Sequence, residues 1–389
     1  MTHDAEIHSH SENCSHLYAA KAIVSYPVWK GQLQVGTEES FSRRNDNYAI
    51  TGVDIPASKA EVKEDIYAGF ANYGFNLPKI GQISAGIRYE NVHYIYHDAV
   101  TPANNLTRNY SNWFPTVSFA GRMGKIQLML NYSARTRRPN YAQLSSAISY
   151  DNRYLLQSGN AQLQPELIHN VSATAVWKFL TFMVNYSRTN DPIMTWSSPY
   201  NDEGVILVKP RNIDSPFRML VAYGMLNHTI GVWTMSYTLG IQKQWLTINA
   251  PDPRMASGFR ETKFNDKPIG VMQLNNTFKL NGGWQLELGG LMQTKGYTQN
   301  IYMRDAFFNL TAAVQKTLLR DNSLVLRIEG NDLTHTAKTN VNSDFGSHTI
   351  SQNNTMDTQR VKFSVRYTFN AAQSKYRGSG AGSEQKSRM

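Results

Sequence analysis

Arg360-Val361-Lys362-Phe363-Ser364-Val365-Arg366-Tyr367-Thr368-Phe369 alternates without a break: Val361, Phe363, Val365, Tyr367 and Phe369 are apolar or aromatic, and every residue between them is polar. Successive side chains of a strand point to opposite faces, so this run carries one apolar row and one polar row. About ten residues of tilted strand cover the hydrocarbon layer of a bilayer. The stretch therefore reads as a membrane-crossing β-strand.

The pattern recurs upstream. Ile126, Leu128, Leu130 and Tyr132 alternate with Gln127, Met129, Asn131 and Ser133. Trp284, Leu286 and Leu288 alternate with Gln285, Glu287 and Gly289, and Trp233, Met235, Tyr237, Leu239 and Ile241 form a further apolar row. Short connections at 27–31, 76–81, 121–125, 178–180, 227–230, 281–283 and 320–323 take turns with long polar ones at 46–59, 96–111, 139–165, 247–266 and 338–346. Outer-membrane barrels have this asymmetry of short periplasmic turns and long extracellular loops. The fold expected is all-β, an antiparallel transmembrane β barrel with about fifteen strands between Leu17 and Phe369. Because single-chain bacterial barrels close with an even number of strands, an odd count predicts that N-terminal strands are missing.

The tryptophans offer an independent check. Trp29, Trp177, Trp233 and Trp284 lie beside short turns, and Trp113, Trp196 and Trp245 lie toward long loops. All seven are expected in aromatic girdles at the two membrane interfaces.

Composition excludes other classes. The 389 residues are 41% hydrophobic and 17% charged, with no apolar run of the ~18 residues that a spanning helix requires. The start, Met1-Thr-His-Asp-Ala-Glu, has neither a basic leader nor an apolar core, so no secretory signal is expected in it. The formal charge of +10 allows an anionic partner, but the cations are dispersed and the aromatics cluster at strand ends, against a nucleic-acid surface. The domain reading is a polar His-rich loop remnant at 1–16, the barrel portion at 17–370, and a flexible basic tail at 371–389 with Gly378-Ser-Gly-Ala-Gly-Ser383.

Specific residues then carry a resemblance. Arg137-Arg138-Pro139-Asn140-Tyr141, followed by Gly159-Asn160, Leu163 and Pro165-Glu166, resembles a stretch of the TonB-dependent outer-membrane receptor-like barrels of Bacteroidetes, with Ala161 where that pattern has proline. Gly86-Ile87-Arg88-Tyr89-Glu90, Ala20-Lys21-Ala22 before Tyr26-Pro27, and Arg366-Tyr367-Thr368-Phe369-Asn370 are similar to further parts of the family. The resemblance implies a 22-strand barrel of which this chain is the C-terminal portion, in the cell outer membrane, without its plug. It implies solute uptake coupled through TonB by a region outside the chain, a surface lipoprotein as a further partner, and incompetence of the chain alone. A stand-alone porin-like or structural barrel is the alternative reading, and a soluble β-sandwich adhesin a lesser one.

No enzyme chemistry is read here. There is no nucleophile elbow, phosphate loop or dinucleotide fingerprint, and Glu38 and Glu39 must point to opposite faces of a strand. His3, His8, His10, Cys14 and His16 match no compact metal spacing, and His93 and His97 lack the HExxH frame, so no metal or cofactor is expected. The candidate functional residues are the charges on polar strand faces: Arg88, Glu90, Arg135, Arg137, Glu287, Arg327, Glu329 and Arg366. They are expected to face the lumen, as contacts to a plug or solute path or as an ion-pair lattice lining a wet interior.

Overall fold

The computed structural model describes residues 6–201, 203–319, 322–354, 357–369 and 383–388. Its main element is a 15-stranded sheet in which each strand pairs antiparallel with the next. The strands are β1 His8–Val28, β2 Gly31–Thr51, β3 Ser58–Leu77, β4 Gly81–Asp98, β5 Leu106–Met123, β6 Ile126–Arg137, β7 Glu166–Trp177 and β8 Leu180–Asn190. They continue as β9 Phe217–Ile230, β10 Trp233–Trp245, β11 Ile269–Leu280, β12 Trp284–Gln293, β13 Phe307–Leu318, β14 Leu324–Asn331 and β15 Arg360–Tyr367. Among the described residues no helix is long and apolar enough to cross a membrane.

The two faces of the sheet follow the two rows of the sequence. Val361, Phe363, Val365 and Tyr367 are 77%, 64%, 56% and 57% exposed on one face, and Leu239, Ile241, Leu286, Leu288, Phe182 and Val184 are exposed on that same face of other strands. An apolar band of this extent belongs against lipid rather than water. The opposite face carries the polar row.

Tight connections link the strands at one end. Trp29, Lys79 and Lys178 sit there at φ of 55°, 67° and 53°, and Gly124 and Gly231 at 61° and 57°. Positive φ at hairpin turns matches the right-handed twist of the flanking strands. The turn expected at 227–230 lies further on, at Gly231-Val232, because β9 pairs with β10 through Ile230↔Trp233.

At the other end the chain builds separate small sheets. One combines 148–152, 155–158, 193–199 and 206–212; a hairpin combines 247–251 with 259–263; a third sheet combines 296–298, 301–303, 339–344 and 349–354. Two apolar cores form at this end. Ala60, Val62, Tyr94, Tyr96, Tyr141 and Leu144 gather inside the mouth of the first strands. Met194, Trp196, Leu246, Ile248, Phe264 and Phe345 gather among the later connections.

Further boundaries differ from expectation. The connections expected at 46–59 and 96–111 shrink to 52–57 and 99–105, because the first five strands stay paired beyond the membrane-length segment. The first strand starts at His8 rather than Leu17, because His8 to His16 pair residue by residue with Thr51 to Arg43, so that segment is strand rather than loop. Of the expected flexible tail, residues 370–382 and 389 lie outside the described residues, whereas Ser383–Arg388 form a short helix with Arg388 buried, a correction discussed below. Among the described residues the sheet ends in two edges, since β1 and β15 are each bonded on one side only. Both run from the long-loop end to the short-turn end, so a direct bond between them would be parallel.

Candidate functional site

The polar wall is richest across β1 to β4. Register places Lys21, Glu38, Ala68 and Glu90 in one row across these strands. Glu38 and Arg88 are separated by a whole strand, roughly 10 Å at ordinary strand spacing. They meet because the intervening residue is Ala68, whose methyl leaves the space free. Arg88 Nη1 lies 3.3 Å from Glu38 Oε2 and its Nε donates to Glu90 Oε1 at 2.6 Å. Lys21 Nζ approaches Glu38 Oε2 at 3.6 Å. Arg138, at the end of β6, donates to the other oxygen of Glu90 at 2.5 Å.

Phe70 completes this patch. Its ring lies over Gly36, where a Cβ would fall 2.4 Å from the ring. The cations of Lys21 and Arg88 stand 5.8 and 5.9 Å from the ring centroid. Glycine is required at 36 because the ring occupies the place of a side chain. The chain of charges is thus fixed on both sides, by backbone register and by an aromatic floor.

Burial separates these pairs from surface ones. Glu90 and Arg138 are 7% and 6% exposed. Removing either partner takes a close opposite charge away from a desolvated one, which costs more than an exposed pair contributes. A cavity of about 580 Å³ opens on the network, and the charged residues that line it are six cations, Lys21, Arg88, Arg135, Arg137, Arg138 and Arg388, and two acids, Glu38 and Glu90. The excess of cations makes the field in this cavity positive.

The sequence-derived candidates are brought together in two groups. Arg88, Glu90, Arg135 and Arg137 line this cavity, and Arg137 also pairs with the fully buried Glu166 at the start of β7. On the far side of the sheet Arg327 Nη2 lies 2.8 Å from Glu287 and 2.8 Å from Glu329, in more open surroundings. Arg366 stands apart, exposed on the edge strand β15. Lys21, Glu38, Glu64, Arg138 and Arg388 were not among the candidates. Strand parity alone could have added Glu38, which falls on the polar face opposite Lys21 while Glu39 takes the other face. Nothing in the alternation points to Arg138 or Arg388, which lie beyond strand ends.

The tryptophans divide likewise. Trp29, Trp113, Trp177, Trp233, Trp245 and Trp284 fall on the outer face or its turns, and Trp29 and Trp113 are 95% and 62% exposed. Trp233 donates through Nε1 to Asn276 Oδ1 at 3.0 Å, and the Tyr237 hydroxyl donates to the same oxygen at 2.6 Å. Trp196 is the correction: it is 6% exposed, packs edge-on to Phe345 and carries the Arg211 guanidinium 3.7 Å from its ring centroid. It belongs to the loop core because the connection 191–216 folds into its own hairpin, a feature the long-loop reading omitted.

His8 to His16 lie along edge strand β1, with Cys14 Sγ 3.6 Å from His16 Nε2, and His3 lies outside the described residues. Among the described residues no three His, Cys, Asp or Glu side chains gather as a metal site would require.

A model of the outer membrane protein β-barrel family matches residues 2–367. The chain belongs to that family. Its place is therefore the outer membrane. No curated protein matches this barrel chain in sequence. Among solved structures it is similar in fold to the Serratia marcescens hemophore receptor HasR, solved as a double mutant with its hemophore HasA and heme, at 14% identity and TM-score 0.61, covering 93% of this chain and 60% of that one. It is similar to the copper transporter OprC at 12% identity and TM-score 0.63, covering 92% and 57%, and to the ferric yersiniabactin uptake receptor FyuA of Yersinia pestis at 10% identity and TM-score 0.60, covering 94% and 55%. The chain thus spans little more than half the length of these receptors. Identities this low carry the fold and nothing finer.

Proposed function

We propose that the barrel chain is the C-terminal wall of an outer-membrane receptor that imports a solute by TonB coupling, of the Bacteroidetes type that its Arg138-Pro139 to Pro165-Glu166 stretch resembles. The observation that carries this reading is the charge ladder Lys21–Glu38–Arg88–Glu90–Arg138 on the inner wall, buried at its Glu90–Arg138 end. Such a dense set of partly desolvated charges suits a surface that packs against a folded plug better than the open channel of a porin. The likeness in fold to uptake receptors over more than nine-tenths of the chain supports the same reading.

In this proposal the outer apolar face meets lipid, with Trp29, Trp177, Trp233 and Trp284 near the periplasmic rim and Trp113 and Trp245 near the outer rim. The open edges of β1 and β15 pair with further strands, since unpaired backbone groups in hydrocarbon cost several kcal/mol each. Plug, TonB-contacting segment and any surface lipoprotein act from outside the 389 residues, and the chain by itself catalyses no reaction and drives no import.

The test reads the DNA upstream of the Met1 codon and measures uptake. The proposal expects an in-frame continuation encoding strands and a plug. It also expects no proton-gradient-dependent accumulation of ferric siderophore, heme or copper when residues 1–389 alone, behind an outer-membrane signal, are expressed in a receptor-deficient strain. A promoter and ribosome-binding site immediately before Met1, or gradient-dependent accumulation by the chain alone, overturns it.

A further inference from the structure

Arg388, in the helix α2 Ser383–Arg388, enters a pocket built by the barrel wall. Its Nη1 lies 2.5 Å from Oε2 of Glu64, a carboxylate on the polar face of β3 that is 2% exposed. Its Nε donates to the Pro139 carbonyl at 2.9 Å, and its guanidinium lies 5.0 Å from the ring centroid of Tyr141. Carboxylate, carbonyl and aromatic face are the three groups that together recognise a planar guanidinium rather than an ammonium.

The pocket is held independently of its occupant. The Tyr141 hydroxyl shares a 2.6 Å hydrogen bond with Ser42 on β2. Tyr141 also opens the short helix α1 Tyr141–Leu144, whose start is fixed by a reciprocal cap between Asn140 and Gln143. Glu64 sits among Ala60, Val62 and Ile66, all buried on the same face. A carboxylate at that depth requires a cation. The nearby Arg108 donates instead to the carbonyls of Leu163 and Gln162, at 2.7 and 2.9 Å, and Arg138 Nη2 is taken by Glu90. Arg388 brings its guanidinium to that carboxylate.

We propose that Glu64, the Pro139 carbonyl and the Tyr141 ring form a guanidinium-binding pocket in the barrel lumen, and that the C-terminal helix of the chain is its tethered occupant. Gln385, one helical turn before Arg388, is also buried, and Lys386 is exposed, so α2 presents one side to the wall and one to the cavity. Docked in this way the helix is a strap across the cavity that the charge ladder lines. Tethering keeps the local concentration of Arg388 near the millimolar range, so a free guanidinium competes at high concentration only.

The test uses the full 389-residue chain in detergent micelles with Cys14→Ser and a nitroxide on Lys386→Cys, read by electron paramagnetic resonance. A docked helix gives a slow-motion spectrum. Glu64→Gln and, separately, Arg388→Ala are expected to shorten the correlation time by about tenfold, to that of a free segment. Arg388→Ala touches no wall residue, which keeps the test decisive where Glu64→Gln disturbs folding. N-acetyl-arginine amide at high concentration is expected to release the label, and N-acetyl-glutamine amide is not. A fast spectrum in the parent protein, or a slow one that survives Arg388→Ala, overturns the proposal.

Discussion

The first five strands and the last ten solve the same problem differently. β1, β2 and β3 run for 21, 21 and 20 residues, continuing well beyond a bilayer, whereas β14 and β15 run for 8 residues each. Above the membrane the early strands keep their pairing and fill their own mouth with Tyr94, Tyr96 and Tyr141. The later strands stop, and separate hairpins gather around Trp196, Leu246, Ile248 and Phe345. What the two share is a change of face. On β10 the apolar row is odd-numbered through Leu239 and Ile241, both exposed; beyond it the apolar residues are even-numbered, with Leu246, Ile248 and Ala250 each 1% exposed. On β4 Ile87 is exposed outward and Val92, Tyr94 and Tyr96 are buried inward. The switch of parity marks where lipid ends, because outside the bilayer the inner side is the dry one.

The largest effect is expected where the early region buries charge. Glu90→Ala removes the shared partner of Arg88 and Arg138 and is expected to cost about 3–5 kcal/mol. Glu329→Ala, in the open pair with Arg327, is expected to cost less than about 1 kcal/mol. Urea unfolding in micelles, followed by heat-modifiable mobility on gels, compares the two. Equal losses would remove the distinction between the regions.

In the later region, Trp196→Ala is expected to cost about 3–5 kcal/mol of loop stability without opening the main sheet. Protease cleavage in 191–216 and 247–266 should accelerate while the membrane-embedded core fragment persists. If the whole barrel melts instead, the loop core is not a separate unit.

Between the two faces, Leu239→Arg should cost about 2–4 kcal/mol in a bilayer, and Thr238→Arg, facing the lumen, should cost close to nothing. Refolding yield into vesicles distinguishes them, and a reversed order would assign the faces wrongly.

The smallest effect is one of pH. Burial holds the His348 imidazole below its ordinary value of 6.5, only partly offset by Asp344, while its Nε2 meets Ser197 Oγ at 2.9 Å. The folded loops favour the neutral ring, so their docking is complete above about pH 6.5 and weakens as pH falls below it. Loop proteolysis between pH 7.5 and 5 should quicken in the parent and lose that dependence in His348→Gln.

Alternation made most of the fold legible, because two rows on a strand of membrane length have few other uses. The strand count of fifteen and the short turns are recovered, with one turn displaced by a few residues and residues 320 and 321 of the turn expected at 320–323 lying outside the described residues. His8 to His16 escaped because polar residues on both faces of an edge strand carry no alternation. Half of the site was readable as well: Arg88 with Glu90, and Arg327 with Glu287 and Glu329, were placed by parity. Arg138 and Arg388 were not, since their positions depend on how the chain folds back after a strand rather than along one. Trp196 was misplaced for the same reason.

The central claim is that the odd-numbered row of β10 meets lipid and the even-numbered row meets water. Nitroxides placed one at a time from Thr238 to Gln242, in a Cys14→Ser background reconstituted in vesicles, report collisions with oxygen, which concentrates in lipid, and with a nickel chelate, which stays in water. The prediction is an alternation of period two, with oxygen maxima at 239 and 241 and nickel maxima at 238, 240 and 242. A profile without alternation, or nickel access at all five positions, would contradict it.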